Sequence, residues 1–178
     1  MEFSLSSEQE MLIESARAFA ENELYPHEAE VEKSDSVSPD LAQKIRERAI
    51  EMGFYAANMP EDLGGGGLDC VSLSLVEREL GRANFALQYL VGRPSNILQA
   101  CVGEQRDHYL FPCIRGEKTD CLAMTEPGAG SDLRSMQCRA DVDGDDYVIN
   151  GTKHFISHAD IADFVILFAA TGEEESAR

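Results

Sequence analysis

A chain of 178 residues, 43% apolar and 27% charged, can bury one large domain or two small ones and is too balanced for wholesale disorder. Its formal net charge of −18, from 15 basic against 33 acidic residues, repels phosphate backbones and anionic membranes. Nucleic-acid binding is set aside on that ground, and the acidity reads as a solvated surface or as steering for a basic protein partner.

The first two-thirds of the chain carries helical periodicity. Ser7-Glu8-Gln9-Glu10 has the spacing of a capping box, which satisfies free amides at a helix start. Leu12, Ala16, Phe19, Ala20 and Leu24 recur at three- and four-residue steps and share a face, and Tyr25-Pro26 is expected to end that helix. Ser38 followed by Pro39 predicts the next start, with Leu41, Ile45, Ala49 and Met52 as its apolar stripe and Gly53 in a left-handed closing position. Gly64–Gly67 reads as a flexible turn. Asp69 is the expected cap of a third helix carrying Leu73, Val76, Leu80 and Ala83, and further helical regions are expected within 85–100 and 104–114, with Pro112 disturbing the last. Arg93, before Pro94 in an apolar stretch, either reaches an anionic group or is solvated or salt-bridged.

The period changes after Gly116. Residues 121–125, 137–142, 147–150, 153–157 and 164–169 read as short strands, and Asn150-Gly151 is the expected tight hairpin turn. Phe164–Phe168 is apolar enough for burial on both faces. The fold class is therefore α+β. A helical bundle over 1–118 is followed by a partial antiparallel β-domain over 119–178, ending in a solvated acidic loop.

No run of about eighteen apolar residues marks a membrane span, and the first residues lack the basic and apolar regions of a secretory signal. Five cysteines, odd in number and irregularly spaced, lack the C-x-x-C pair of a zinc ribbon or a thioredoxin-type site, and thiols without a framework fit the cytoplasm. His154 and His158 stand four apart, but in a strand-and-turn context that spacing does not converge on a metal, so no metal site is expected.

Thr125-Glu126-Pro127-Gly128-Ala129-Gly130-Ser131-Asp132 is the densest group of chemistry-bearing residues. Its glycines allow close backbone approach to a flat or anionic ligand, and Thr125 and Ser131 add hydroxyl donors. On residue types alone it is a ligand-binding turn or merely a tight surface turn. It is neither a Rossmann fingerprint nor a P-loop, because the third glycine and the Gly-Lys-Ser/Thr run are missing. Glu126 and Asp132 read as braces of this loop rather than as a catalytic pair.

Met124–Asp132 resembles the central signature of the acyl-CoA dehydrogenase family. Other segments resemble the family in the same order: Glu8-Gln9, Met59-Pro60-Glu61 with Leu63–Asp69, Val76–Arg82, Glu104-Gln105 with Tyr109–Pro112, and Ile149–Ser157. The resemblance spans nearly the whole chain. It implies non-covalently bound FAD between a β-domain and helices, and α,β-dehydrogenation of an acyl-CoA thioester in acyl-CoA metabolism. By carry-over, Leu122, Ala123, Met124, Thr125, Gly130, Ser131, Phe155, Ile156 and Ser157 face the flavin. Thr125 bonds its pyrimidine side, Ser157 donates near N5, Phe155 packs on the rings, and Ser131 also lies beside the acyl-CoA thioester. Phe155 and Ser157 stand where many relatives have tryptophan and threonine.

The family's base is a glutamate from a C-terminal helical domain that has no counterpart in these residues. No catalytic residue is therefore expected in this chain, and the polypeptide alone is expected to be inactive. Acyl-CoA oxidase, a non-catalytic FAD- or acyl-CoA-binding fragment, and a flavin-free interaction domain are the alternatives. The resemblance also implies electron-transferring flavoprotein as a partner and a homo-oligomer.

Overall fold

Pro26 has no amide hydrogen, and the first helical stretch changes its hydrogen bonding around that gap. The computed structural model describes residues 4–172; the acidic stretch 173–178, expected as a loop, lies outside them. Helix α1 (Ser7–Phe19) runs into a π-helical turn at Ala20–Leu24, then a 3₁₀ turn at Tyr25–His27, then α2 (Glu28–Ser34). The Tyr25 amide bonds back to the Ala20 carbonyl and the Glu28 amide to the Tyr25 carbonyl, so register shifts on both sides of the proline. Pro26 therefore re-registers the helical path instead of ending it.

The capping box of α1 sits one residue earlier than the sequence predicts. The Gln9 amide donates to Ser6 Oγ at 3.2 Å, and the Ser6 amide donates to Gln9 Oε1 at 3.1 Å. Gln9 stands at the third helical position and returns the bond, closing the box on Ser6. The buried face is Ile13, Ala16, Phe19, Ala20 and Leu24, with Leu12 only partly buried.

Helix α3 (Pro39–Glu51) starts as expected, with the Leu41 amide donating to Ser38 Oγ and Pro39 in the first turn. Ile45 and Ala49 are buried, but Met52 is exposed, since the helix closes there and the chain turns at Gly53 with φ 75°. Helix α4 (Cys70–Leu80) is capped by Asp69, whose carboxylate accepts from the Val71 and Ser72 amides and the Ser72 hydroxyl. The regions beyond it are broken. Helix α5 (Phe85–Gln88) passes into 3₁₀ turns, and a π turn at Arg106–Leu110 precedes α6 (Phe111–Ile114), with Pro112 in its first turn. Phe19, Leu24, Ile45, Val76, Leu87 and Val91 form the core, with Phe19 edge-on to Phe54 at 5.5 Å between ring centroids.

Glu79 was not singled out in the sequence, yet it is the buried charge among the described residues of the helical part. Its side chain is 4% exposed and accepts from Arg17 of α1 at 3.1 Å, from Arg78 at 2.9 Å and from Arg82 at 3.0 Å. The Arg17 hydrogen bond, with help from the other two guanidiniums, holds its pKa down to about 2.

The glycine-rich loop is braced rather than flexible. The Gly66, Gly67 and Leu68 amides donate to the carbonyls of Ala56, Met59 and Ala57 at 2.8–3.1 Å. A Cβ on Gly65 would stand 2.3 Å from the Met59 carbonyl oxygen and 2.4 Å from its Cβ.

The chain divides into two compact units, Met1–Glu117 and Lys118–Arg178. In the second, β1 (Asp120–Ala123) pairs in parallel with β4 (Phe164–Leu167), and β2 (Arg139–Asp143) pairs antiparallel with β3 (Asp146–Asn150). The antiparallel expectation holds for β2 and β3 and is corrected for β1 and β4, where the long connection from β1 returns the chain in the same direction. Beyond β4 the Ala140 amide donates to Ala170 O and the Ala170 amide to Cys138 O, which joins the two pairs.

Three further expectations change. The hairpin turns at Gly144-Asp145, where Gly144 takes φ 65° as the first of two loop residues, so Asn150 ends β3 instead of turning. Residues 153–157 form no strand, because Phe155 and His158 take φ of 55° and 64° and break the extended path. Val165 and Leu167 are exposed, so β4 is not covered on both faces among the described residues. No helix among the described residues is long and apolar enough to cross a membrane.

Gly65→Ala is expected to destabilise the helical unit by about 2 kcal/mol, since overfilling a packed site costs roughly 1–3 kcal/mol. Urea unfolding of the variant checks this; a loss under about 0.5 kcal/mol would show that the loop gives way easily.

Candidate functional site

Strand β1 ends at Ala123, and its extension, Met124-Thr125, lies against Lys153-His154. The His154 amide donates to the Thr125 carbonyl at 3.0 Å, and Lys153 Nζ donates to the Met124 carbonyl at 3.0 Å. The sequence places these two pairs far apart; the sheet puts them side by side.

Glu126 follows at once and turns inward. It exchanges backbone hydrogen bonds with Ala129 at 2.9 and 3.2 Å, closing a turn over Pro127-Gly128. Its carboxylate accepts from Lys153 Nζ at 2.8 Å, from the Gln137 amide at 2.6 Å and from the Cys138 amide at 2.9 Å. The side chains of Lys153 and Glu126 are 8% and 2% exposed, so the pair is desolvated. The Lys153 hydrogen bond, supported by the two amides, holds the Glu126 pKa to about 2 against the opposing effect of burial.

Gly151 completes the frame by close approach. A Cβ there would stand 2.6 Å from Cys138 Cα, so a glycine is what lets the chain leave β3 alongside β2. Two residues past Lys153, Phe155 takes φ 55°, is 87% exposed, and stacks on the His154 ring with 4.1 Å between centroids and 28° between planes. A non-glycine residue in the left-handed region is strained, and here it carries a large exposed aromatic ring.

The predicted site residues divide as follows. Met124 and Thr125 join this frame through their carbonyls, while Phe155, Ile156 and Ser157 follow Lys153-His154 in the chain without a hydrogen bond of their own to it among the described residues. Leu122 and Ala123 are on β1, Leu122 exposed and Ala123 buried. Gly130 and Ser131 are exposed beyond the Pro127-Gly128 turn, and the hydrogen bonds tying the frame together run through Glu126 rather than through them. Asp132 accepts from the Arg134 amide and the Ser135 hydroxyl at 2.5 Å, which lowers its pKa and braces the turn that follows. Arg93 lies in the other unit in an ion pair with Glu77 at 3.7 Å. Sequence reasoning found Glu126 as a brace but took Lys153 only as one residue of the Ile149–Ser157 resemblance, with no partner assigned to it.

Residues 6–117 match the family model for the acyl-CoA dehydrogenase N-terminal domain, and residues 121–178 the model for the acyl-CoA dehydrogenase middle domain. The 3-(aryl)acrylate reductase of Clostridium sporogenes is 37% identical over 93% of this chain and 44% of its own length. The caffeyl-CoA reductase-Etf complex subunit CarC of Acetobacterium woodii is 33% identical over 97% of this chain and 46% of its own. Among solved structures, an acyl-CoA dehydrogenase complexed with FAD from Bacillus anthracis superposes with a TM-score of 0.77 at 32% identity, covering 94% of this chain and 30% of that one. The chain therefore spans less than half the length of these relatives.

Between pH 4.5 and about 2 the unfolded Glu126 carboxyl takes up a proton while the folded one stays ionised. The unfolded state binds more protons in that window, so stability is full above it and falls as the pH drops through it. Glu79 acts in the same direction over the same range. Urea titrations at about pH 6 and about pH 3 are expected to show this loss, and Glu126→Gln is expected to shrink the difference. An undiminished pH dependence in the variant would count against the role assigned to Glu126.

Proposed function

This chain belongs to the acyl-CoA dehydrogenase family, and we propose that it is the N-terminal part of an FAD-dependent enzyme that dehydrogenates an acyl-CoA thioester between its α- and β-carbons. The observation that carries the reading is the hydrogen-bonded frame on which Thr125 and the segment before Phe155 meet. Its exposed aromatic, held in a strained backbone conformation, suits a flat ring system. The FAD complex of the Bacillus anthracis relative supports the choice of cofactor.

In this reading Leu122, Ala123, Met124, Thr125, Gly130, Ser131, Phe155, Ile156 and Ser157 hold the flavin. FAD supplies the hydride acceptor when bound. Thr125 anchors one edge of the ring, Phe155 packs on it, and Ser157 donates to the side where the hydride arrives. Ser131 steadies the thioester end of the acyl-CoA. Their common task is to fix distance and angle, on which transfer rates depend steeply.

None of these residues is a base. The two carboxylates buried among the described residues, Glu79 and Glu126, are held ionised by guanidinium and ammonium groups and bonded at both oxygens, so neither is free to collect a proton. The absence of turnover by these 178 residues alone is part of the proposal. Electron-transferring flavoprotein is the proposed electron acceptor, consistent with the complex named for the Acetobacterium relative. Five free thiols support a cytoplasmic setting, and a homo-oligomer is proposed for the whole enzyme.

Purified chain mixed with FAD and then freed of excess is expected to keep a flavin absorption spectrum. A colourless product would favour an interaction domain without flavin. Incubation with FAD, acyl-CoAs of varied length and a dye acceptor is expected to give no turnover, and clear turnover would place a base within these residues. Ser157→Ala is expected to weaken flavin binding by roughly 0.5–1.5 kcal/mol, the worth of one hydrogen bond. Unchanged affinity, read by fluorescence titration, would remove Ser157 from the site.

A further inference from the structure

We infer that Glu126 and Lys153 are a positioning pair that sets the two cofactor-facing segments in place before any ligand arrives. The inference rests on the flavin reading above for its purpose, though its structural content does not. Each member sits close to a proposed contact: Glu126 directly follows Thr125, and Lys153 comes two residues before Phe155. Neither is itself a flavin contact in that reading.

The bonds of the pair fall on backbone that must hold still. Lys153 Nζ bridges Glu126 Oε1 and the Met124 carbonyl, while the two Glu126 oxygens take the Gln137 and Cys138 amides. One buried cluster thus joins the end of β1, the start of β2 and the stretch leaving β3. Strained backbone such as Phe155 at φ 55° persists only where its surroundings over-determine it. Here the over-determination comes from Lys153 and His154 on its N-terminal side, with the Gly151–Cys138 approach behind them. Without the ammonium, Met124 O loses its donor and Glu126 is left as a desolvated charge. The 124–125 and 153–154 stretches are then held by the His154–Thr125 bond with much weaker support.

Purely structural and positioning roles differ in where the damage appears. Amide hydrogen exchange on the 178-residue chain without flavin reads this directly. Lys153→Met is expected to speed exchange at His154 and Cys138 by about tenfold or more, the loss of a charge-assisted bond. Amides of α1 serve as the unchanged reference. If that variant unfolds the whole second unit, Glu126→Gln/Lys153→Met decides, because removing both charges avoids an unpaired buried one. That double variant is expected to keep slow exchange in β1 and β4 while His154 exchanges fast. Wild-type exchange at His154 in a folded variant of either kind would overturn the inference.

FAD titration of the same proteins separates the two claims. Weaker binding in the folded variant, by about tenfold or more, supports both. A wild-type chain that takes up no FAD sinks the cofactor reading alone, since the exchange result does not depend on it.

Discussion

A carboxylate and an ammonium removed from water can be held together only if nearly every remaining bond of each is met. Glu126 and Lys153 satisfy that demand with backbone groups, and this is what gives the second unit its shape at the site. The carboxylate takes two amides at the entrance to β2, and the ammonium takes the carbonyl at the exit of β1. In a medium of low dielectric these bonds are directional and costly to lose, so the backbone is held more tightly than short strands alone would hold it.

The same device appears in the helical unit with different partners. Glu79 sits under three half-exposed arginines, of which Arg17 belongs to α1 and the other two to the helix of Glu79 and its end. There the charge ties helix to helix; in the β unit it ties turn to strand to loop. Both carboxylates are kept ionised well below the usual range by hydrogen-bonded cations, which makes both units sensitive to acid through one mechanism. It also removes them from proton-transfer chemistry. A buried carboxylate invites reading as a base, and here its partners decide against that.

Phe155 shows the complementary principle. The residues around it do not favour a left-handed backbone, and a phenylalanine there is strained and exposed. The conformation is imposed by bonds on its N-terminal side, and it presents a ring that a regular strand would have placed elsewhere. The exposed apolar residues of β3 and β4 are of another kind, since their backbone is regular and only their cover is missing among the described residues.

Much of this was legible from residue order alone. The starts at Ser38-Pro39 and Asp69, the change of period after Gly116 and the stretch around Thr125 all follow from local chemistry, which a chain carries with it into any fold. The signature-like segments also identified the family, because their residue types and spacing are specific. What the order of residues left undecided were matters of competition and distance. Of two possible capping boxes the chain formed the one between Ser6 and Gln9, Gly144 took the turn that Asn150-Gly151 offered, and β1 found β4 in parallel across about forty residues. Lys153 was read as one lysine in a hairpin motif, and only the folded sheet brings it to Glu126, since a charge becomes a structural bond when the chain buries it beside its opposite.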